Sequence, residues 1–296
     1  MEYALLADSS TRFVSPYVLE TIERLGIPDP MRVESYGAIS NIAIHSDRFS
    51  YFYLGNEFCE HRLPSLDSIK QLFEICSRHA LGPVLVTPPV TDFGIGRIQN
   101  LFDGLGEECK KLSIVVNDLG LSEMVAYKYP EIRMIAGRVL DKTSHDSRAS
   151  LAMAKEYYGD RPMRIARTPS LSAEAYRLAL DASRFERFEF DLPMVGLSLD
   201  DVTARVSLYW PYSYLTTGRV CRSRGVEPAS AFPTGLNPCS RVCGGHMIGL
   251  DRERDQTRGV EAMTLYQDGN TVFYLNPRDA LPAEQQLSYD RIVIQL

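Results

Sequence analysis

From about residue 50 the chain alternates short runs of β-branched and aromatic residues with longer stretches whose apolar positions recur at helical spacing. Residues 50–55 (SYFYLG) predict a strand, and 65–80 predict a helix with Ile69, Leu72, Phe73 and Cys76 on one face. The pattern continues with a strand at 83–87 (PVLVT), a helix over 95–110, a strand at 113–116 (SIVV), a helix over 120–128 and a strand at 133–136. Beyond it come a helix at 146–157, a strand at 163–166, a helix at 172–183 and a strand at 187–192 (RFEFDL). Such alternation implies parallel strands joined by crossover helices. Six or more units favour an α/β fold of the TIM-barrel-like (β/α) type over an open doubly wound sheet.

The tail carries a different rhythm. Residues 259–266 and 271–275 flank Asp268-Gly269-Asn270, a hairpin signal, and 291–296 (RIVIQL) predicts another strand. The expectation is one barrel-like domain over 1–296, with an N-terminal region over 1–48 of unclear structure and a C-terminal β-hairpin elaboration over 245–296. No internal repeat or flexible linker interrupts it.

Composition changes the picture little: 296 residues, 45% hydrophobic and 24% charged, describe an ordinary globular chain. The net charge of -6 gives no pull toward nucleic acid or an anionic membrane, so a sequence-independent nucleic-acid binder is not expected. No run of 18 apolar residues appears, and the start lacks a basic stretch followed by a long apolar one, so a cytoplasmic protein is expected. In a reducing compartment clustered cysteines point to metal or redox chemistry rather than to disulfides.

Six cysteines are present. Cys76 and Cys109 continue the apolar faces of predicted helices, which makes them small core residues. The other four lie outside any such stripe: Cys59 just past a strand, Cys221, and the pair Cys239 and Cys243, in a Cys-x17-Cys-x3-Cys arrangement plus one distant thiol. Four thiolates suit Zn²⁺ or a [4Fe-4S] cluster, the alternative being thiols that hold no metal. Structural zinc sites more often space two ligands by two residues than by three, whereas a cubane tolerates mixed spacings. Arg62, Arg219, Arg222, Arg224 and Arg241 lie near these thiols in sequence and would offset the negative charge of a thiolate-bound cluster.

Further candidates surround them. Asp118 follows the strand at 113–116, and either caps the next helix or serves the chemistry. Glu189 and Asp191 share a face of their strand and, facing a barrel interior, would act as general acid and base or hold a polar substrate. Tyr209, Trp210, Tyr212 and Tyr214 crowd ahead of Cys221 and would wall a pocket for an aromatic substrate, or else pack in the core. His61 and His246 sit within three residues of a proposed ligand and would bond to cluster sulfur, move protons or ligate metal. Gly94-Ile-Gly96 lacks the rest of a dinucleotide fingerprint and is expected to be a turn.

In order and rough spacing, YLGNEFCEHR at 53–62, NDLG at 117–120, YLTTGRVCRSR at 214–224 and Cys239-x3-Cys243 resemble the UbiV-like iron-sulfur proteins of the collagenase-like peptidase (U32-type) superfamily. The resemblance covers about residues 50 to 245. It implies a [4Fe-4S] cluster on Cys59, Cys221, Cys239 and Cys243, a barrel-like fold and a UbiU-like sister subunit in a heterodimer. It also implies oxygen-independent hydroxylation of a small aromatic molecule, with prephenate as oxygen donor. A non-catalytic, cluster-bearing scaffold subunit is the alternative, and a peptidase ranks last. Residues 207–214 (SLYWPYSY) replace the His-Gly stretch of the peptidase signature, and the N-terminal region is longer than in that family.

Overall fold

The computed structural model describes residues 1–8, 32–33, 42–43, 49–141, 143–145, 160–219, 221, 239, 241, 243, 248–252, 263–276 and 289–295. Its strands are β1 (Glu2–Ala7), β2 (Arg32–Val33), β3 (Ile42–Ala43), β4 (Phe49–Gly55), β5 (Gly82–Val86), β6 (Ser113–Val116), β7 (Arg133–Ala136), β8 (Phe185–Phe190), β9 (Val206–Trp210), β10 (Tyr212–Thr217), β11 (Ile248–Arg252), β12 (Met263–Asp268), β13 (Thr271–Leu275) and β14 (Arg291–Gln295). Its α-helices are α1 (Leu66–His79), α2 (Asp92–Leu105), α3 (Leu119–Lys128), α4 (Asp160–Arg167) and α5 (Glu174–Leu180).

Eight parallel strands close into a barrel in the order β1-β4-β5-β6-β7-β8-β9-β14, with β14 returning to β1. These strands read as continuous apolar runs because both of their faces are covered, one by the barrel interior and one by helices. In β6 all four residues are buried. The TIM-barrel-like α/β architecture expected from the alternation is therefore present.

Local chemistry sets the helix ends. Ser65 caps α1 by accepting from the Ser68 N–H at 3.1 Å, and Ala80 ends the helix in a left-handed conformation, φ 54°. Ile69, Leu72, Ile75 and Cys76 form its buried face. The second helix starts earlier and stops sooner than the periodicity predicts. Thr91 caps it, and Gly106 at φ 56° turns the chain into a 3₁₀ segment, Gly106–Lys111, from which Cys109 still reaches the core.

Two expectations are revised and one falls where the structure is not described. The strand predicted at 163–166 is the helix α4, whose Pro162 lies within the first turn, where a proline costs no intrahelical bond. The helix predicted at 146–157 lies outside the described residues. The tail is divided: β12 and β13 form the expected hairpin, but it belongs to an antiparallel sheet, β10-β13-β12-β11, inserted between barrel strands β9 and β14. The last strand is thus a stave of the barrel, and the region 1–48 contributes another, β1. Among the described residues no helix is long and apolar enough to cross a membrane.

Two apolar shells result. Trp210, Phe52, Leu54, Ile114 and Phe190 belong to the layer between strands and helices. Ala4, Tyr53, Val84, Val86, Val115, Ile135, Tyr209 and Val293 point into the barrel.

Candidate functional site

In barrels of this kind the loops after the strands' C-terminal ends carry function. Here those ends deliver Asp8 after β1, Asn56 and Glu57 after β4, Thr87 after β5, Asn117 and Asp118 after β6, Arg138 after β7 and Asp191 after β8. Asn117 braces this mouth, donating to the Thr87 carbonyl at 2.8 Å and accepting from the Val139 N–H at 3.0 Å.

Arg138 is the centre of the mouth. It is 2% exposed; its Nε lies 3.1 Å from both carboxylate oxygens of Glu57, and one Nη bonds Glu57 as well. The other Nη donates to Asp191 Oδ1 at 2.5 Å and to the Tyr212 carbonyl at 3.3 Å. Burial raises the Glu57 and Asp191 carboxyls, Asp191 to about 6, against the opposing pull of the guanidinium. The same two carboxylates drive the guanidinium's own affinity for its proton upward.

A cavity of about 80 Å³ opens beside this group, lined among others by Asp8, Glu57, Phe58, Arg138, Tyr212 and Phe273. Its far wall is a second buried ion pair: Arg62 Nε lies 3.1 Å from Asp8, and its Nη1 lies 2.6 Å from Asp268. Arg62 so ties the β1 end, the β4 loop and the β12–β13 turn together. Asn270 reinforces that junction by donating to the Phe58 carbonyl at 2.7 Å.

The cysteines gather at the same place. Burial pushes the Cys59 thiol up to about 11, reinforced by Cys243 and offset by the amides of His61 and Arg62 that face its sulfur and by the Arg62 guanidinium. The Cys243 thiol is raised by burial and, in smaller measure, by Asp268, Cys221 and Cys239, with Arg62 pulling it down. All four sulfurs therefore act electrostatically on one neighbourhood centred on Cys243. Gly269, at φ 57°, brings its backbone there; a Cβ on it would stand 3.5 Å from Cys243 Sγ. Cys239 Sγ accepts the Arg241 N–H at 3.4 Å.

These features fit a thiolate-ligated group in donor type, in free thiols and in amides aimed at sulfur. Among the described residues, however, no three His, Cys, Asp or Glu side chains stand in a metal-binding arrangement. Cys76 and Cys109 are core residues, as their periodicity implies.

The remaining candidates separate. Asp118 is a cap: its Oδ1 accepts from the Leu121 N–H at 2.9 Å and its Oδ2 from the Val90 N–H at 3.3 Å. Glu189 lies inside the barrel, fully buried, below the mouth rather than in it. Of the four aromatics only Tyr212 lines the cavity. Tyr209 points into the barrel and Trp210 packs under the helices, as alternation along β9 requires. Tyr214 packs on Phe58, with ring centroids 5.1 Å apart, and on His145 at 4.1 Å. His61 sits in the 3₁₀ turn Glu60–Arg62 beside Cys59, and His246 lies outside the described residues, as do Arg222 and Arg224.

Asp8, Glu57, Arg138 and Asp268 were not legible as site residues, whereas Arg62 was, through its place three residues past Cys59. Glu57 and Arg138 each stand two residues past a barrel strand, which was the available signal.

No protein-family model matches this chain, and no curated protein does. A solved structure described as a U32 peptidase is similar over 100% of this chain and 92% of its own, at 10% sequence identity and a TM-score of 0.41. A likeness this loose carries no argument about the site.

Proposed function

We propose that the chain holds a [4Fe-4S] cluster on Cys59, Cys221, Cys239 and Cys243, and serves oxygen-independent hydroxylation or a related redox step on a small aromatic molecule, with a UbiU-like sister subunit. The observation that supports this reading is that Cys59, Cys221 and Cys239, from three separate stretches of the chain, each stand within electrostatic reach of Cys243. Bound there, the cluster would supply one-electron transfer. Arg62 offsets the negative charge of the thiolates, and the amides of His61, Arg62 and Arg241 bond to sulfur.

The chain's own residues supply the rest. Arg138, locked by Glu57 and Asp191, offers a polar wall that cannot swing, while Phe58 and Phe273 offer apolar faces. The roughly 80 Å³ cavity, open on one side, is smaller than the ~150 Å³ that encloses a benzene, so it does not enclose a whole ring by itself. That size favours the second reading, in which this chain is the cluster-bearing partner and the sister subunit binds most of the substrate. Prephenate as oxygen donor belongs to the same proposal.

Anaerobic purification followed by iron, sulfide and zinc analysis tests it. About four iron and four sulfide per chain are expected, with loss in each of Cys59→Ala, Cys221→Ala, Cys239→Ala and Cys243→Ala and retention in Cys76→Ala and Cys109→Ala. A colourless protein with one zinc, or an intact chromophore in Cys59→Ala, overturns it. Turnover only when the sister subunit is added selects the second reading.

A further inference from the structure

Below the mouth the barrel interior contains a chain of polar groups inside an apolar lining. Glu189 on β8 is fully buried, and its two carboxylate oxygens accept from the hydroxyls of Tyr53 on β4, at 2.9 Å, and Tyr209 on β9, at 2.6 Å. No cation contacts this carboxyl among the described residues. Burial and the nearby Glu57 charge favour the protonated form of this carboxyl, against the two phenol donors and the more distant Arg291, which favour the charged one.

The two ends of the chain differ. Downward, Tyr53 Oη accepts from Arg291 Nη1 at 2.9 Å, and Arg291 is in turn bound by Glu2 at 2.8 Å and stacked 3.6 Å over Tyr51. An arginine does not give up its proton, so no proton passes that way. Upward, the Tyr209 hydroxyl also faces Glu57, which lines the mouth cavity, and the Tyr209 ring lies 3.8 Å beneath the Arg138 guanidinium. The chain is open to protons at the mouth alone.

We propose that Glu189 is the proton reservoir of the mouth, taking up one proton through the Tyr209 hydroxyl when negative charge is added there and returning it by the same route when that charge leaves. In uptake a proton from the cavity is relayed by Glu57, whose charge is the same before and after, to the Tyr209 oxygen as that hydroxyl's own proton passes to Glu189 Oε2. Tyr209 is neutral before and after, the carboxylate becomes a carboxylic acid, and no electron moves. The groups acting on Glu189 are Tyr53 and Glu57 from the β4 segment, Tyr209 from β9 and Arg291 from β14, with Arg138 from the β7 loop stacked on the Tyr209 ring. Burial and the Glu57 charge hold the Glu189 carboxyl up at about 7, in the range where such a reservoir works. The proposal does not depend on what the cysteines hold.

Infrared titration of the full chain, labelled with ¹³C-carboxyl glutamate and free of added metal, tests it. The expected result is a protonated-carboxyl C=O band that disappears with a near-neutral midpoint and is absent in Glu189→Gln. In Glu57→Gln the midpoint moves to lower pH, because a neighbouring negative charge is gone. In Tyr209→Phe it moves to higher pH, because the carboxylate loses a donor. A band that persists in Glu189→Gln, no band titrating near neutrality, or a midpoint unmoved by Glu57→Gln would each overturn the assignment. Should Glu189→Gln not fold, the two neighbouring variants decide the question alone.

Discussion

The guanidinium carbon of Arg138 lies 3.8 Å from the centre of the Tyr209 ring, while its nitrogens hold Glu57 and Asp191. One side chain so connects the mouth of the barrel to its interior. Its planar fork and its ability to stack are both used, and a lysine supplies neither.

Removing Arg138 leaves two carboxylates buried without a counter-ion. Arg138→Met is expected to lower the unfolding free energy by about 3–5 kcal/mol, with Arg138→Lys in between. Denaturant unfolding of the three proteins checks this, and equal stability of wild type and Arg138→Met would contradict it.

Both oxygens of Asp118 serve backbone amides. Asp118→Ala should cost about 1 kcal/mol as a lost helix cap and leave metal content unchanged, whereas Asp118→Asn should cost only a fraction of that. A catalytic Asp118 would show the reverse: little change in stability and a collapse of turnover.

Burial lifts Glu189 to about 7 and Asp191 to about 6, above the unfolded carboxyl range of about 4. The folded chain then holds protons that the unfolded chain has released. Their stabilising contribution is full below about pH 4 and is lost as pH rises through 6 and 7. Unfolding midpoints measured across that window should fall more steeply with pH in wild type than in Glu189→Gln. Parallel pH profiles would show that Glu189 does not hold its proton in the fold.

The thiols should differ in reactivity in reduced, metal-free protein. Cys76 is buried and pushed up to about 12, and Cys109 is buried and raised. Cys221 and Cys239 are half-exposed. Brief alkylation followed by peptide mass spectrometry should find Cys221 and Cys239 labelled first and Cys76 and Cys109 last. Early labelling of Cys76 would place it outside the core.

The units from 50 to 136 were legible because each strand is a short run buried on both faces and its helix is bounded by caps such as Ser65 and Thr91. The strand β1 was not, since its partners β4 and β14 are distant in sequence and nothing local marks EYALLA as a barrel stave. The segment 163–166 misled because a short apolar stretch among arginines has no length with which to distinguish helix from strand. Four thiols outside any apolar stripe could be picked out individually. Glu57 and Arg138 could not, because a charged residue past a strand end resembles a solvated one until closure of the barrel brings the two together. The even spacing of Glu189 and Asp191 did put both inside, yet one sits with two phenols and the other with a guanidinium, a difference set by strands β4 and β9 rather than by their own.

The position of β14 between β1 and β9 has a consequence for biogenesis. Seven staves and the whole inserted sheet leave the ribosome before the eighth is made, so the nascent barrel carries two raw edges throughout most of translation. Pairing Glu2 with Arg291 joins residues 289 positions apart and comes late, a long-range closure that slows folding and leaves those edges unpaired until it is made.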